Sequence, residues 1–292
     1  MTVLLHGLLR QMSHSQIKQT CRLLHKGGSV DRFAAQAKVY SQARPSYPKA
    51  LVDLIVESLH RHDLAVDVGC GSGQLAVSLS PHFQKVLALD KSPAQLSFAR
   101  RRPNVCYELS DAIHIPAEHD SVDVVTAAQC YHWFLADNTD AEFLQEVHRV
   151  LRPDGLLAVV GYGICSLDIE SIQTAFHGFY VQALGSHLPP SHPDCWWDID
   201  RRVLDRQLEG VLFPNFHQVH RESLIERRQV SLGTFYQYIE SFSGYQTLKA
   251  QLKEHDVDPL DELMDEIGIL GYGSDTVISI EYPFFCILLT PA

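Results

Sequence analysis

Apolar residues change period repeatedly along the first half of the chain. Phe33, Ala37 and Tyr40 share one side of a short segment, Asp31 to Tyr40, which predicts a helix. Ala43-Arg44-Pro45-Ser46-Tyr47-Pro48 breaks it, since each proline disfavours helical backbone in the residue before it. Leu51, Leu54, Ile55 and Leu59 then recur at helical spacing over about 48–60, with Ser46 placed as a cap. Short apolar runs follow at Ala65–Val68, Lys85–Leu89, Val105–Leu109, Val122–Ala127 and Leu156–Val160. Between them lie helical patterns at Gln74–Leu79, after Ser92-Pro93, and at Thr139–Val150, the last ended by Arg152-Pro153-Asp154-Gly155. Strands separated by helices predict βαβ units and a parallel sheet covered on both faces, with right-handed crossovers.

The rhythm is lost after residue 162. Residues 163–225 hold His187, Pro189, Pro190, Pro193 and the pair Trp196-Trp197, and read as an irregular, partly helical insertion. Arg227–Leu232 is a candidate strand. Helical patterns run from Thr234 to Glu266 with a break near Ser243-Gly244, and Thr276–Leu289 is strongly β-prone.

Charge and cysteine usage narrow the partners. The 292 residues carry 24 Lys and Arg against 35 Asp and Glu, a net −11. So acidic a chain is a poor match for a phosphate backbone, so no nucleic-acid partner is expected. The seven cysteines form no CxxC pair, so no metal site is expected and the thiols read as reduced and intracellular. No apolar run approaches the ~20 residues of a membrane helix. Residues 1–30 contain Arg10, Lys18, Arg22 and Lys26 and no acid. They read as a flexible extension of a cytoplasmic protein or, alternatively, as a mitochondrial transit segment.

The sharpest motif is Val66-Asp67-Val68-Gly69-Cys70-Gly71-Ser72-Gly73-Gln74. A strand, a glycine turn and a helix start let a ligand approach backbone closely. The third glycine falls one place earlier than in the dinucleotide fingerprint. Asp90 stands 21 residues after Gly69 at the end of the next strand, placed to accept hydrogen bonds from both hydroxyls of a ribose. Asp67 suits an ammonium or sulfonium charge better than a pyrophosphate.

This block resembles the first motif of class I S-adenosylmethionine-dependent methyltransferases. Leu89-Asp90-Lys91-Ser92, Ser110-Asp111-Ala112, Ser121-Val122-Asp123-Val124-Val125 and Arg149 through Leu156 continue the resemblance in order, over about residues 31–162. Tyr40 through Pro48 and His132-Trp133-Phe134 are similar to the branch of trans-aconitate methyltransferase-like proteins and related quinone-biosynthesis enzymes. The resemblance implies an α/β, Rossmann-like fold: a mainly parallel seven-stranded sheet, helices on both faces, an antiparallel C-terminal strand. It implies a core over 31–162 that binds S-adenosyl-L-methionine. An insertion at 163–225 serves as a substrate lid, and 226–292 complete the same domain.

The resemblance also assigns roles. Gly69, Gly71 and Gly73 pass under the methionine part of the cofactor, with Asp67 near its amino group. Asp90 holds the ribose, with Ser92 beside it. Asp111 and Ala112 contact the adenine, although Asp111 also reads as a helix cap. Gln129 lines the site near the methyl group, and Tyr40 and Arg44 cover the cofactor.

The cofactor supplies the difficult chemistry, and the protein aligns the nucleophile and excludes water. His132, after the fourth strand, is the candidate general base, or else packs or binds substrate. Tyr131, Trp133, Trp196 and Trp197 are candidates for the acceptor pocket or for core, Tyr245 is a weaker one, and Arg44 could pair with a substrate carboxylate. Ala127 through His132 stand where nucleic-acid N-methyltransferases carry Asn/Asp-Pro-Pro-Tyr/Phe. The expected activity is methyl transfer to a small-molecule acceptor at oxygen, carboxylate or hydroxyl. C-methylation of a quinone-type lipid precursor, or a non-catalytic cofactor-binding partner protein, are the alternatives.

Overall fold

A computed structural model describes residues 44–292. The expected helix at 31–40, Tyr40 and the acid-free segment 1–30 lie outside the described residues.

The alternating pattern folds as expected through residue 150. Helix α1 (Lys49–Glu57) precedes β1 (Leu64–Val68), α2 (Gln74–Leu79), β2 (Lys85–Asp90), α3 (Pro93–Ser97), β3 (Val105–Leu109) and β4 (Val122–Ala128). Helices α4 (Tyr131–Asp137) and α5 (Asp140–Val150) lead into β5 (Leu151–Tyr162). Ser92 caps α3 as its spacing suggests: its Oγ accepts the Gln95 N–H at 3.1 Å, and Pro93 opens the helix.

The second half adds β6 (Ser166–Leu167), α6 (Glu170–Gly178) running into a π-turn at Phe179–Ala183, and α7 (Arg201–Asp205). Strand β7 (Phe216–Ser231), helices α8 (Leu232–Glu240), α9 (Ser243–Lys249) and α10 (Pro259–Ile269), and β8 (Val277–Pro291) complete the chain.

Strands β3-β2-β1-β4-β5 are mutually parallel in that order. Strand β8 runs antiparallel beside β5, and β7 pairs antiparallel along the other edge of β8. This is the expected seven-stranded sheet, with the two-residue β6 added against β8. Every residue of β4 is buried, as the centre of a sheet covered on both faces demands. One apolar layer joins Leu51, Leu75, Phe176, Phe235 and Phe284; the other joins Val66, Tyr131, Phe143, Phe213 and Ile287. Strand order reverses between β1 and β4, and their carboxyl ends leave a crevice there.

Two local expectations need correction. Arg152-Pro153-Asp154-Gly155 is not a turn ahead of the fifth strand but lies inside β5. Leu151 already pairs with Val122, and the register slips between Val122 and Val124, so the segment is taken up as an irregularity. Arg152 Nε, 2.9 Å from the buried Asp123 Oδ1, pins it. Strand β7 starts at Phe216 rather than near Arg227. As an edge strand its outer positions are solvent-facing, which removes the apolar alternation that marks a strand.

Candidate functional site

Past Val68 the chain turns through Gly69, Gly71 and Gly73, with φ of +63°, +56° and +85°. A Cβ at Gly69 would come within 2.8 Å of the Cys130 Cβ, and one at Gly73 would run into the Tyr107 side chain. The loop is thus wedged between the start of α4 and β3, and its glycines keep the ligand side open. Above it lies a cleft of about 740 Å³, within the range of small-molecule sites.

Two carboxylates organise the cleft. Asp90 Oδ2 accepts the Gly71 N–H at 2.8 Å, and its Oδ1 accepts the Ser92 N–H at 2.8 Å. The acid therefore shapes the glycine loop while lining the cleft. Asp67 is 1% exposed. Its Oδ1 accepts from Thr126 Oγ1 at 2.7 Å and its Oδ2 from the Ala76 N–H at 3.1 Å. Burial pushes its pKa up to about 7; the Thr126 and Ala76 hydrogen bonds oppose the rise and the Asp90 charge adds to it.

Asp111 and Ala112 line the cleft as well, and Asp111 Oδ1 lies 2.8 Å from His114 Nδ1. No helix starts at Asp111, which removes its cap role. Ser92 is buried behind Asp90, outside the cleft wall. Gln129 sits at the inner end with φ +55°. Its Nε2 donates to the Tyr162 carbonyl at 3.2 Å and its Oε1 accepts the Tyr162 N–H at 2.9 Å, fixing the side chain between β4 and β5.

Arg44, Gln129 and Tyr162 also wall a second, inner chamber of about 10 Å³. Arg44 Nη2 donates to the Ser241 carbonyl at 2.8 Å, and its guanidinium carbon lies 5.5 Å and 5.4 Å from the Tyr238 and Phe242 ring centres. Arg201, on α7, enters the chamber from the opposite half of the chain. Its Nη2 donates to Asp205 Oδ1 at 2.7 Å and its Nε to the Tyr180 hydroxyl at 2.9 Å, over the Trp197 ring at 4.9 Å.

The aromatic candidates separate. Trp133 lines the cleft and Trp197 the inner chamber. Trp196 packs half-buried against the core and reaches neither wall. Tyr131 is fully buried among Phe134, Phe143 and Phe213, and Tyr245 is buried with its hydroxyl donating to Asp258 Oδ2 at 2.7 Å. His132 is 7% exposed and stands outside both walls. Burial, then the positive charges of Arg201 and Arg44, hold its pKa down to about 3, so the imidazole is neutral. Sequence reasoning missed Arg201, Tyr162, Tyr180, Tyr238 and Phe242. They come from four separated segments, and only the Asp200 cap of α7 and the Arg201–Asp205 spacing left a trace.

Among the described residues no three His, Cys, Asp or Glu side chains are grouped to hold a metal ion, and no helix is long and apolar enough to cross a membrane.

A methyltransferase-domain family model matches residues 66–159, from β1 to β5. A Dictyostelium discoideum protein named as a methyltransferase is 30% identical over 264 residues, covering 88% of this chain and 94% of its own length. A Schizosaccharomyces pombe protein named as an uncharacterized methyltransferase is 26% identical over 241 residues, covering 80% and 88%. The solved structure of an Anaeromyxobacter dehalogenans protein named as a type II methyltransferase superposes with a TM-score of 0.69 at 27% identity, over 84% of this chain and 97% of that one. Glycines with no room for a Cβ, beneath a cleft carrying one carboxylate at the end of β2 and another in β1, fit an adenosine that bears a cationic amino acid. The chain belongs to the class I S-adenosylmethionine-dependent methyltransferases, and S-adenosyl-L-methionine is its cofactor.

Proposed function

We propose that this methyltransferase transfers the methyl group to a carboxylate oxygen of a small-molecule acid. In this reading Asp90 takes the ribose hydroxyls, Asp111 and Ala112 take the adenine, and the glycine loop with Asp67 takes the methionine part. When bound, S-adenosylmethionine supplies a methyl group on a cationic sulfur, which an anionic acceptor takes without giving up a proton.

The observation that carries the choice of acceptor is Arg44. Its guanidinium is held between Tyr238 and Phe242 where the cleft meets the inner chamber. A cation held there by neighbouring groups favours an anionic acceptor, such as a carboxylate, over a neutral one. His132 supports the same choice. Removing a proton from a hydroxyl calls for a base matched to the working pH, and a base whose conjugate acid has a pKa of about 3 is a poor match. Trp133 and Gln129 bound the space left for the acceptor.

Matched acid and alcohol pairs, such as benzoate with benzyl alcohol, test this from pH 6 to 9. At saturating S-adenosylmethionine the acids are expected to be methylated at a rate that varies little with pH. Methylation of the alcohols in preference to the acids would overturn the proposal.

A further inference from the structure

We infer that the inner chamber is the subsite for one oxygen of the acceptor's carboxylate, and that Arg201 is the residue that selects for it. The inference rests on the carboxylate reading above and assigns that reading a place.

Four observations converge. The chamber's volume, about 10 Å³, is that of a site for one water-sized atom, enough for a carboxylate oxygen but not for an acid's body. It adjoins the cleft through Arg44, Gln129 and Tyr162, which wall both spaces. Two arginines and no Asp or Glu line it. One of its buried donors has no acceptor among the described residues. Trp197 Nε1 is buried without a hydrogen-bond partner among the described residues. Arg201 Nε and Nη2 are committed to Tyr180 and Asp205, while Nη1 makes no hydrogen bond among the described residues. An unsatisfied buried donor costs free energy in the folded chain. A chamber that holds such a donor, beside a guanidinium nitrogen with no hydrogen bond of its own among the described residues, suits an acceptor oxygen.

Arg201 has little freedom to turn away. The Asp205 ion pair, the Tyr180 hydroxyl and the Trp197 ring fix three sides of its guanidinium. The rings of Tyr180, Trp197, Tyr238 and Phe242 line the chamber, and the burial of Arg201 strengthens the attraction between its guanidinium and an anion. A carboxylate with one oxygen here keeps its other oxygen toward the cleft.

The test uses the full chain with S-adenosylhomocysteine present, and calorimetry with benzoate, sorbate and, as a neutral shape match, benzamide. Benzoate or sorbate is expected to bind, and benzamide at least tenfold more weakly than benzoate. Arg201→Gln combined with Asp205→Asn removes both partners of the buried pair, so no lone charge is left to unfold α7. This variant should weaken carboxylate binding at least tenfold and leave S-adenosylhomocysteine affinity unchanged. Arg201→Lys, which keeps the charge and loses the fork, should fall between. Wild-type carboxylate affinity in the double variant, equal binding of benzamide, or no carboxylate binding at all would overturn the inference and leave the chamber a site for a structural water only. The functional reading fails separately: carboxylates that bind through Arg201 but are never methylated would sink the acceptor assignment and leave the anion subsite standing.

Discussion

Asp67→Asn isolates the buried carboxylate of the cleft whose titration burial has raised. The wild-type carboxyl titrates near 7 instead of 3.8 because it is buried. A difference of about three units corresponds to about 4 kcal/mol between its two protonation states, as an upper bound. The sign follows from proton counting. Between roughly pH 4 and 7 the folded chain holds this proton and the unfolded chain has lost it, so stability falls as pH rises through that window. Below pH 4 the contribution is fully present, and above about 7 it is gone. Asparagine preserves the packing. With its oxygen toward the Ala76 N–H, its amide can donate to Thr126 Oγ1, whose own proton can turn to the Val66 carbonyl, 3.4 Å away. Urea denaturation from pH 4 to 8 should therefore show wild type losing up to about 4 kcal/mol relative to Asp67→Asn. A cationic ligand favours the ionised carboxylate, so wild-type affinity for S-adenosylmethionine should rise with pH through 7, with a proton released on binding below it. Calorimetry in buffers of different ionisation enthalpy measures that proton. Parallel stability curves for the two proteins, with no proton released, would refute the reasoning.

The other expectations concern neighbouring parts of the same site. Asp90→Ala removes two charge-assisted hydrogen bonds from the loop together with the proposed ribose contact. It should cost roughly 3 kcal/mol of cofactor binding, about 150-fold in Kd; unchanged S-adenosylhomocysteine affinity in a folded variant would contradict the assignment. Gly73→Ala forces alanine to a φ of +85° and into the Tyr107 side chain. It should cost at least 1–2 kcal/mol by thermal denaturation, and Tyr107→Ala in the same chain should recover only the part due to the clash. Because His132 is held neutral, the pH profile of kcat between 5.5 and 8.5 should keep its shape in His132→Gln. A limb near 6.5 present only in wild type would restore the histidine as a base.

What was legible in the sequence was what neighbouring residues decide. The glycine spacing, Asp67, Asp90 and the Ser92-Pro93 cap all act within a turn or a strand end, and each stands where it was expected. Strands β1, β2 and β4 are largely buried runs between helical patterns, and such runs carry their own signal. The edge strand β7 does not, because solvent takes one side of it. The inner chamber was invisible for a different reason. Arg44 reaches the Ser241 carbonyl 197 residues away, and Arg201 is aimed by Tyr180 and Trp197; no local pattern records such meetings. Tyr131 and His132 were marked because they adjoin the end of β4, yet α4 turns Tyr131 into the core and His132 out of the cleft wall. Position after a strand identifies a neighbourhood, and helix phase decides which side chains enter it.

The most direct test of the account is identification of the product. The full chain would be incubated with S-adenosylmethionine carrying a deuterated methyl group and a mixed panel of carboxylic acids, alcohols, amines and quinone precursors. Mass spectrometry would locate the label before and after mild alkaline treatment. The account predicts label on an acid as a methyl ester that alkali releases. Label confined to carbon, nitrogen or an alcohol oxygen, stable to alkali, would contradict it.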